Sequence, residues 1–222
     1  MRMSDVQCVI FDCEGTLIDS EPLTCEALVS VFAQYGATLT MDECFAHFYG
    51  GKLTDILAST RNRLGLSVST DELEPKYRET LNALYEEKLK PMDGVIEILE
   101  QLKARDIPVA VASNGPLEKI EHSLTKAGLY QYFEGAMFSG FEANSWKPEP
   151  DLIQLAAMHM GFSANQCLYV DDTPKGVEAG LSAGATTVHF RSNPMTPKSG
   201  FIDVTEMQSM KQLNELLTDA TV

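Results

Sequence analysis

The sequence has little positive charge for its length. Its 222 residues include 17 lysines and arginines against 32 aspartates and glutamates, which gives a formal net charge of -15. A chain this acidic repels the phosphates of nucleic acids and the surface of anionic membranes, so we exclude both as general partners. An anionic substrate would need a local cluster of cations or a metal ion to attract it.

Long apolar runs and paired cysteines are also absent. No segment offers the roughly 20 apolar residues of a membrane-spanning helix. The first residues show no basic stretch followed by an apolar one, as a secretion signal would. The five cysteines are odd in number and include no C-x-x-C pair, which indicates free thiols in a reducing compartment. We therefore expect a cytoplasmic protein.

A short apolar strand that ends in two carboxylates is the most informative feature of the sequence. The run Cys8–Phe11 is followed by Asp12 and Glu14, with Gly15 and Thr16 next. Such a run is typical of a strand buried on both faces, and alternate residues of an extended backbone point the same way. Open α/β folds bind ligands at the carboxyl edge of the sheet, so both acids are candidate site residues. A strand followed by a polar turn gives the same short pattern by chance.

The rest of the chain divides into a helical segment and an alternating one. Residues 17–91 show the apolar spacing of four helices and no strand, whereas strands alternate with helices from residue 92 onward. This alternation predicts an α/β fold, a Rossmann-like doubly wound parallel sheet. We expect a core domain of residues 1–16 and 92–222, and an inserted all-helical domain of residues 17–91.

Two positions stand out within the helical domain. The apolar pattern of its last helix covers residues 73–89, and Thr70 with Asp71 and Glu72 suits the start of that helix. Pro75 fits only in the first turn. The turn that contains Gly51 and Lys52 joins two of the helices, and paired glycines let a backbone bend sharply or approach a ligand. A simple helix–helix turn with a solvated lysine explains the same residues.

Polar residues also follow later strands of the predicted sheet. Ser113 and Asn114 end one strand, Lys147 follows another, and Asp171 and Asp172 end a third. The carboxyl ends of parallel strands lie at one edge of a sheet. The topology therefore gathers these side chains beside the two acids of the first strand.

The segments FDCEGT (11–16), SNG (113–115), WKP (146–148) and VDD (170–172) resemble the four motifs of the haloacid dehalogenase-like hydrolases. The resemblance covers nearly the whole chain and implies that the helical domain is a cap inserted after the first motif. It implies a phosphatase of small phosphorylated metabolites, sugar or sugar-acid phosphates such as 6-phosphogluconate. A cap would exclude water from the site until substrate is bound.

The resemblance implies a covalent mechanism that depends on Mg²⁺. Asp12 would attack phosphorus and form an aspartyl-phosphate, which splits hydrolysis into two easier steps. Because two anions repel, a hard cation must screen them, and Mg²⁺ binds carboxylates together with substrate oxygens. The implied ligands are the carboxylates of Asp12, Asp171 and Asp172 and the backbone carbonyl of Glu14. The Asp-Thr-Pro segment that includes Asp172 also suits the start of a helix.

The remaining candidate residues would bind the substrate. Ser113 and Lys147 would hold the transferring phosphoryl group, whose charge spreads over three oxygens. Thr16 and Asn114 are further candidate substrate contacts, and the turn with Gly51 and Lys52 is the candidate contact for the leaving group.

Glu14 departs from the motif, in which phosphatases of this family usually carry aspartate. The residue at this position protonates the leaving oxygen and then activates water. Glutamate has one more methylene, and a misplacement of about an ångström can cost roughly a hundredfold in rate. Glu14 therefore indicates a slow enzyme, an adjusted pocket, or phosphate binding without turnover. Dehalogenases of the family lack this acid, which argues against haloacid chemistry.

Three function classes stay open. The leading hypothesis is a Mg²⁺-dependent phosphatase whose partner is a small-molecule phosphate ester, in a monomer or weak homodimer. A phosphosugar mutase of the β-phosphoglucomutase type shares every core motif, but such mutases carry a histidine in the helix after the first motif. Residues 21–25 contain none. A catalytically weak phosphate-binding protein is the third class, and Glu14 is the reason to consider it.

Overall fold

The structure is a computed structural model, and it describes residues 5–47, 53–194, 196–202 and 204–218. The chain forms two compact units. The first unit comprises Met1–Asp19 and Lys90–Val222, and the second comprises Ser20–Leu89.

A six-stranded parallel sheet forms the centre of the first unit. Its strands are β1 (Cys8–Phe11), β2 (Val109–Ser113), β3 (Met137–Ser139), β4 (Cys167–Asp171), β5 (Thr186–Phe190) and β6 (Thr205–Met207). Their order across the sheet is β3-β2-β1-β4-β5-β6, and every neighbouring pair is parallel. The predicted fold class, a doubly wound parallel sheet with an inserted all-helical domain, is confirmed.

The register of the sheet brings the ends of its central strands to one level. Phe11, the last residue of β1, pairs with Val111 of β2 and with Val170 of β4. All four residues of β1 are fully buried, as expected for a central strand that is covered on both faces. The residues that follow β1, β2 and β4 therefore emerge side by side at the carboxyl edge.

Helices joined by turns form the described part of the second unit, and no strand lies among its described residues. Its helices are α1 (Glu21–Ala33), α2 (Met41–His47), α3 (Leu53–Arg63) and α4 (Thr70–Lys88). The predicted turn with Gly51 and Lys52 lies outside the described residues.

The start of α4 corrects the expected place of its proline. Ser69 has an extended backbone, and its hydroxyl accepts the backbone N–H of Glu72 at 3.2 Å, so the helix begins at Thr70, the predicted start. Pro75 consequently lies in the second turn of the helix and not in the first. A proline there removes the N–H that would bond the carbonyl of Asp71.

Helices of the first unit pack on both faces of the sheet. They are α5 (Val95–Ala104), α6 (Leu117–Lys126), α7 (Tyr130–Phe133), α8 (Gly140–Ala143), α9 (Asp151–His159), α10 (Pro174–Ala183) and α11 (Met210–Thr218). Ile10 belongs to a buried cluster with Leu152 and Ala156 of α9. Phe11 points to the other face and contacts Phe133 of α7 edge-to-face at 6.4 Å. Successive residues of β1 thus serve two separate layers of the core.

The helical unit is joined to the sheet through two connecting segments that are hydrogen-bonded to each other. Asp19 donates its backbone N–H to the carbonyl of Lys90 at 3.0 Å, and their side chains form an ion pair at 3.3 Å. Ile18 and Pro91 form an antiparallel bridge. The chain therefore leaves the first unit and returns to it at the same place.

The structure agrees with two absences in the sequence. None of the helices among the described residues is long and apolar enough to cross a bilayer. All five cysteines are buried free thiols, which confirms the expectation of unpaired cysteines.

Candidate active site

The candidate site lies at the carboxyl edge of the sheet, where the three central strands end. Asp12 directly follows β1, Ser113 ends β2 and Asp171 ends β4. The backbone N–H of Asp12 donates to the carbonyl of Val170 at 2.9 Å, which continues the pairing of β1 with β4 by one residue. All three side chains are buried.

A buried lysine joins two of these carboxylates. The Lys147 ammonium lies 2.5 Å from Oδ1 of Asp12 and 2.8 Å from Oδ2 of Asp171. Lys147 is only 8% exposed. A charge is rarely buried to this extent unless it is paired, because removal from water is costly. The predicted gathering of these residues from distant motifs is therefore present in the structure.

Asp171 is surrounded by hydrogen-bond donors. Oδ1 accepts the backbone N–H of Thr173 at 2.8 Å and its hydroxyl at 2.7 Å. Oδ2 accepts the Tyr169 hydroxyl at 2.6 Å in addition to Lys147. A carboxylate has about four lone-pair sites, so these donors occupy the acceptor capacity of Asp171.

Burial and pairing act differently on the three charged groups. Burial raises the pKa of Asp12 to about 7, although Lys147 lowers it. Burial also acts to raise the pKa of Asp171, but Lys147 and the other donors hold it below its ordinary value. Burial lowers the pKa of Lys147, yet the two carboxylates outweigh that effect and keep it well above its ordinary value. Asp12 is thus the carboxylate that would gain most from another cation.

Asp172 is held against the loop that follows β1. The Thr16 hydroxyl donates to Oδ1 of Asp172 at 3.0 Å. Gly15 has a φ of +77°, and a Cβ at this position would lie 2.4 Å from Oδ2 of Asp172. Both the backbone conformation and the close approach therefore require glycine. On the far side, Nε2 of His189 lies 3.0 Å from the backbone carbonyl of Asp172.

Three carboxylates are close enough to hold one metal ion. Asp12, Asp171 and Asp172 each offer an oxygen, and these atoms lie within 4.8 Å of one another. Carboxylate oxygens are hard donors, which Mg²⁺ prefers. The donor set therefore fits a hard divalent cation.

Glu14 forms an ion pair that the sequence analysis did not identify. Its Oε1 accepts a hydrogen bond from the Lys119 ammonium, in the first turn of α6, at 2.7 Å. Glu14 and Lys119 line a shallow cleft together with Ser113 and Gly115. The acid after the first strand is therefore directed toward the start of α6, beside the hydroxyl that was predicted to bind phosphate.

Asn114 connects the second motif to the third. Its side-chain Oδ1 accepts the backbone N–H of Lys147 at 2.9 Å, and its Nδ2 donates to the Lys147 carbonyl at 3.4 Å. The Ser113 hydroxyl accepts the backbone N–H of Gly115 at 3.2 Å. The substrate contacts predicted for Ser113, Asn114 and Thr16 stay predictions.

Sequence reasoning missed several supporting residues of the site. Tyr169 was within reach of a pattern argument, because it lies two residues before Asp171 on the same face of β4. Thr173 and Gly176 gave a weaker signal as part of the start of α10. A Cβ at Gly176 would lie 1.9 Å from the carboxyl group of Asp171, so the helix can approach this acid only at a glycine.

The chain belongs to the haloacid dehalogenase-like hydrolase family, whose model matches residues 9–190. The 6-phosphogluconate phosphatase of Escherichia coli K12 is 35% identical over 214 residues, which cover 96% of each chain. The phosphorylated carbohydrates phosphatase of Thermotoga maritima is 29% identical over 184 residues, covering 83% of this chain and 84% of that protein. The predicted class, a phosphoric monoester hydrolase of this family, is confirmed by the family match and by these phosphatases.

Among solved structures, a Thermotoga maritima protein proposed to be a beta-phosphoglucomutase superposes with a TM-score of 0.80. It is 27% identical, and the match covers 95% of this chain and 98% of that one. The chain thus resembles phosphatases in sequence and a proposed mutase in fold, so the fold alone does not decide between the two activities.

Proposed function

We propose that this protein is a Mg²⁺-dependent phosphatase of sugar or sugar-acid phosphates that works through an aspartyl-phosphate. The observation that carries the proposal is the buried cluster in which the Lys147 ammonium contacts Asp12 and Asp171 at the carboxyl edge of the sheet. The similarity to the E. coli 6-phosphogluconate phosphatase supports a sugar acid as the leaving group.

Asp12 is the proposed nucleophile. It lies at the end of the central strand, and Lys147 fixes one of its oxygens at 2.5 Å. Attack by the carboxylate forms an oxygen–phosphorus bond and breaks the bond to the leaving alcohol, which takes a proton from Glu14. Water then attacks the phosphorus, gives a proton to Glu14, and frees Asp12 and inorganic phosphate.

Asp12 and Asp172 are the proposed carboxylate ligands of Mg²⁺, with the backbone carbonyl of Glu14. Asp171 already accepts four hydrogen bonds, so we assign it to holding Lys147 in place. Bound Mg²⁺ would supply the positive charge that lets a carboxylate approach a phosphate. Burial raises the pKa of Asp12, and a bound cation would favour its charged form.

Ser113 and Lys147 are the proposed groups that hold the transferring phosphoryl oxygens. Ser113 ends β2 beside the cluster, and Asn114 fixes the backbone of Lys147 through two hydrogen bonds. A rigid donor at the developing charge stabilises the transition state without reorganisation during the reaction.

A phosphosugar mutase is the second candidate function, because a proposed beta-phosphoglucomutase shares the fold closely. Residues 21–25, at the start of α1, include no histidine of the kind that those mutases carry. A mutase would require a bisphosphate activator and release little phosphate. A catalytically weak phosphate-binding protein would show a shifted melting temperature with phosphate esters and no turnover.

Phosphate release from a panel of sugar and sugar-acid phosphates, measured with and without Mg²⁺, tests the proposal. We expect turnover with Mg²⁺, and we expect Asp12→Asn to abolish it. Asparagine matches the size of aspartate and replaces a carboxylate whose burial already disfavours its charge, so the variant should fold. Undiminished activity in a folded Asp12→Asn variant would exclude the covalent mechanism.

A further inference from the structure

We propose that Lys119 is a positioning residue for Glu14, the proposed general acid and base. Lys119 would hold the longer carboxylate where it can reach the leaving oxygen. The inference rests on the proposed function, and it accounts for a glutamate at a position where the resemblance of the first motif implies aspartate.

Lys119 and Glu14 form a short ion pair between distant parts of the sequence. The Lys119 ammonium lies 2.7 Å from Oε1 of Glu14, across 105 residues of sequence. It joins the loop after β1 to the first turn of α6. The two residues line one shallow depression with Ser113, whose hydroxyl is a proposed phosphoryl contact.

The long side chain of Glu14 needs a contact that restricts its rotamers. Glutamate has one more rotatable bond than aspartate, and an unrestrained side chain of this length spreads over several rotamers. The side chain of Glu14 is 36% exposed, so packing alone does not fix its carboxyl group. A short ion pair from a helix restricts these rotamers and selects one direction for the carboxylate.

Both side chains of the pair are in contact with water. The Lys119 side chain is 42% exposed, and ion pairs that water can reach contribute little to the stability of a fold. Loss of Lys119 should therefore leave the melting temperature nearly unchanged. An effect on catalysis would then arise from the position of Glu14 and not from unfolding.

Kinetics of Lys119→Met, Lys119→Arg and the parent, with Mg²⁺, test the proposal on a sugar phosphate and on 4-nitrophenyl phosphate. A proton from Glu14 matters most for a poor leaving group such as a sugar alcohol. We expect Lys119→Met to lower kcat/KM roughly tenfold on the sugar phosphate, through kcat and not KM, since misplacement of about 1 Å can cost about a hundredfold. The loss on the aryl ester should be about twofold or less. Lys119→Arg should restore most of the rate.

Lys126→Met is the matched control, because it removes a lysine two turns further along α6; it should behave like the parent. Glu14→Gln supplies the second measurement. If Lys119 acts through Glu14, adding Lys119→Met to Glu14→Gln should cause no further loss.

Three results would overturn the inference while leaving the phosphatase activity in place. They are an unchanged Lys119→Met variant, a rise in KM alone, and an equal further loss in the Glu14→Gln background. A rise in KM alone would assign Lys119 to direct substrate binding. A parent protein that releases no phosphate from any substrate would overturn the proposed function and this inference with it.

Discussion

Asp12 and Asp171 share one lysine, yet their surroundings suit different tasks. Asp171 accepts four hydrogen bonds, from Lys147, Tyr169 and the backbone and hydroxyl of Thr173. Burial raises the pKa of Asp12. Burial also acts to raise the pKa of Asp171, but Lys147 and the other hydrogen-bond donors keep it below its ordinary value. These surroundings favour the charged form of Asp171 beside the lysine, and Asp12 is the carboxylate that we propose as nucleophile and metal ligand.

Replacing Asp172 should weaken the binding of Mg²⁺. Asp172→Ala removes a proposed carboxylate ligand that Thr16 holds in place. We expect the Mg²⁺ concentration for half-maximal rate to rise, and the Mg²⁺ affinity in calorimetry to fall, by about tenfold or more. Loss of a group that only supports a metal ligand already costs roughly 10- to 100-fold in affinity. Glu178→Ala, an exposed acid on α10, is the control and should behave like the parent. Parent-like binding of Mg²⁺ by Asp172→Ala would disprove this assignment.

Replacing Glu14 should affect poor leaving groups most. Glu14→Gln keeps the size and hydrogen bonding of the side chain but cannot give and recover a proton. General acid–base transfer is worth roughly 10² to 10⁴ in rate, so turnover of sugar phosphates should fall within that range, with a smaller fall in kcat/KM on aryl phosphates.

The variant Glu14→Asp tests whether the site is built for the longer side chain. Because Lys119 pairs with the glutamate at 2.7 Å, shortening the acid should lower the rate. A Glu14→Gln enzyme as fast as the parent on sugar phosphates would leave the proton donor unassigned.

At the scale of elements, sequence patterns predicted the helices whose ends carry capping residues, proline or glycine. Helix α10 starts at the predicted Asp-Thr-Pro segment, because Thr173 caps it and Pro174 occupies its first turn, and Gly184 ends it in the left-handed conformation. Helices α7 and α8 were missed, since four residues are too few to show a helical period. The start of α4 was predicted at Thr70, where the helix does begin, but Pro75 lies in its second turn instead of its first.

The candidate site also contains residues that the sequence could bring together and contacts that it could not predict. Asp12, Ser113 and Asp171 could be gathered from sequence because parallel strands end at one edge, whatever the side chains do. The contact of Lys119 with Glu14 depends on how α6 packs, and no local pattern records that. Asn114 was predicted as a substrate contact, and that stays a prediction, whereas its bonds to the Lys147 backbone could be found only from the structure.

A methyl group on α10 should disturb the site through Asp171. Alanine normally stabilises a helix by about 1 kcal/mol relative to glycine, but a Cβ at Gly176 would lie 1.9 Å from the Asp171 carboxyl group. We expect Gly176→Ala to lower both the melting temperature and kcat. Ser182→Ala, at an exposed position of the same helix, should change neither appreciably. A more stable and fully active Gly176→Ala variant would show that the helix can shift without cost.

At the scale of the whole molecule, the buried cluster should make folding stability depend on pH. Without metal, the pKa of Asp12 in the folded chain is about 7, above its ordinary value, so the folded state binds a proton more tightly than the unfolded state. The contribution of Asp12 to stability therefore rises as the pH falls from about 8 to about 5. The contribution of Asp171, whose folded pKa is lowered, is lost only as the pH falls below its ordinary value, outside this window.

Melting temperatures of the parent and of Asp12→Asn, measured in a chelator, test this dependence. We expect the difference between the two proteins to change with pH between about 5 and about 8.5. The comparison cancels groups common to both proteins. One is His189, whose pKa burial lowers and which therefore opposes the effect of Asp12. Parallel melting curves for the two proteins across this range would contradict the raised pKa of Asp12.

The paired segments on either side of the helical unit have an evolutionary consequence. Asp19 and Lys90 are bonded through their backbones and side chains, and Ile18 is bridged to Pro91. A short turn could close this gap at little entropic cost, because the chain ends already meet. Such a junction allows insertions of different length and sequence to be exchanged in a lineage without displacing Asp12. The fold of the first unit could then be kept while the inserted helical unit is replaced.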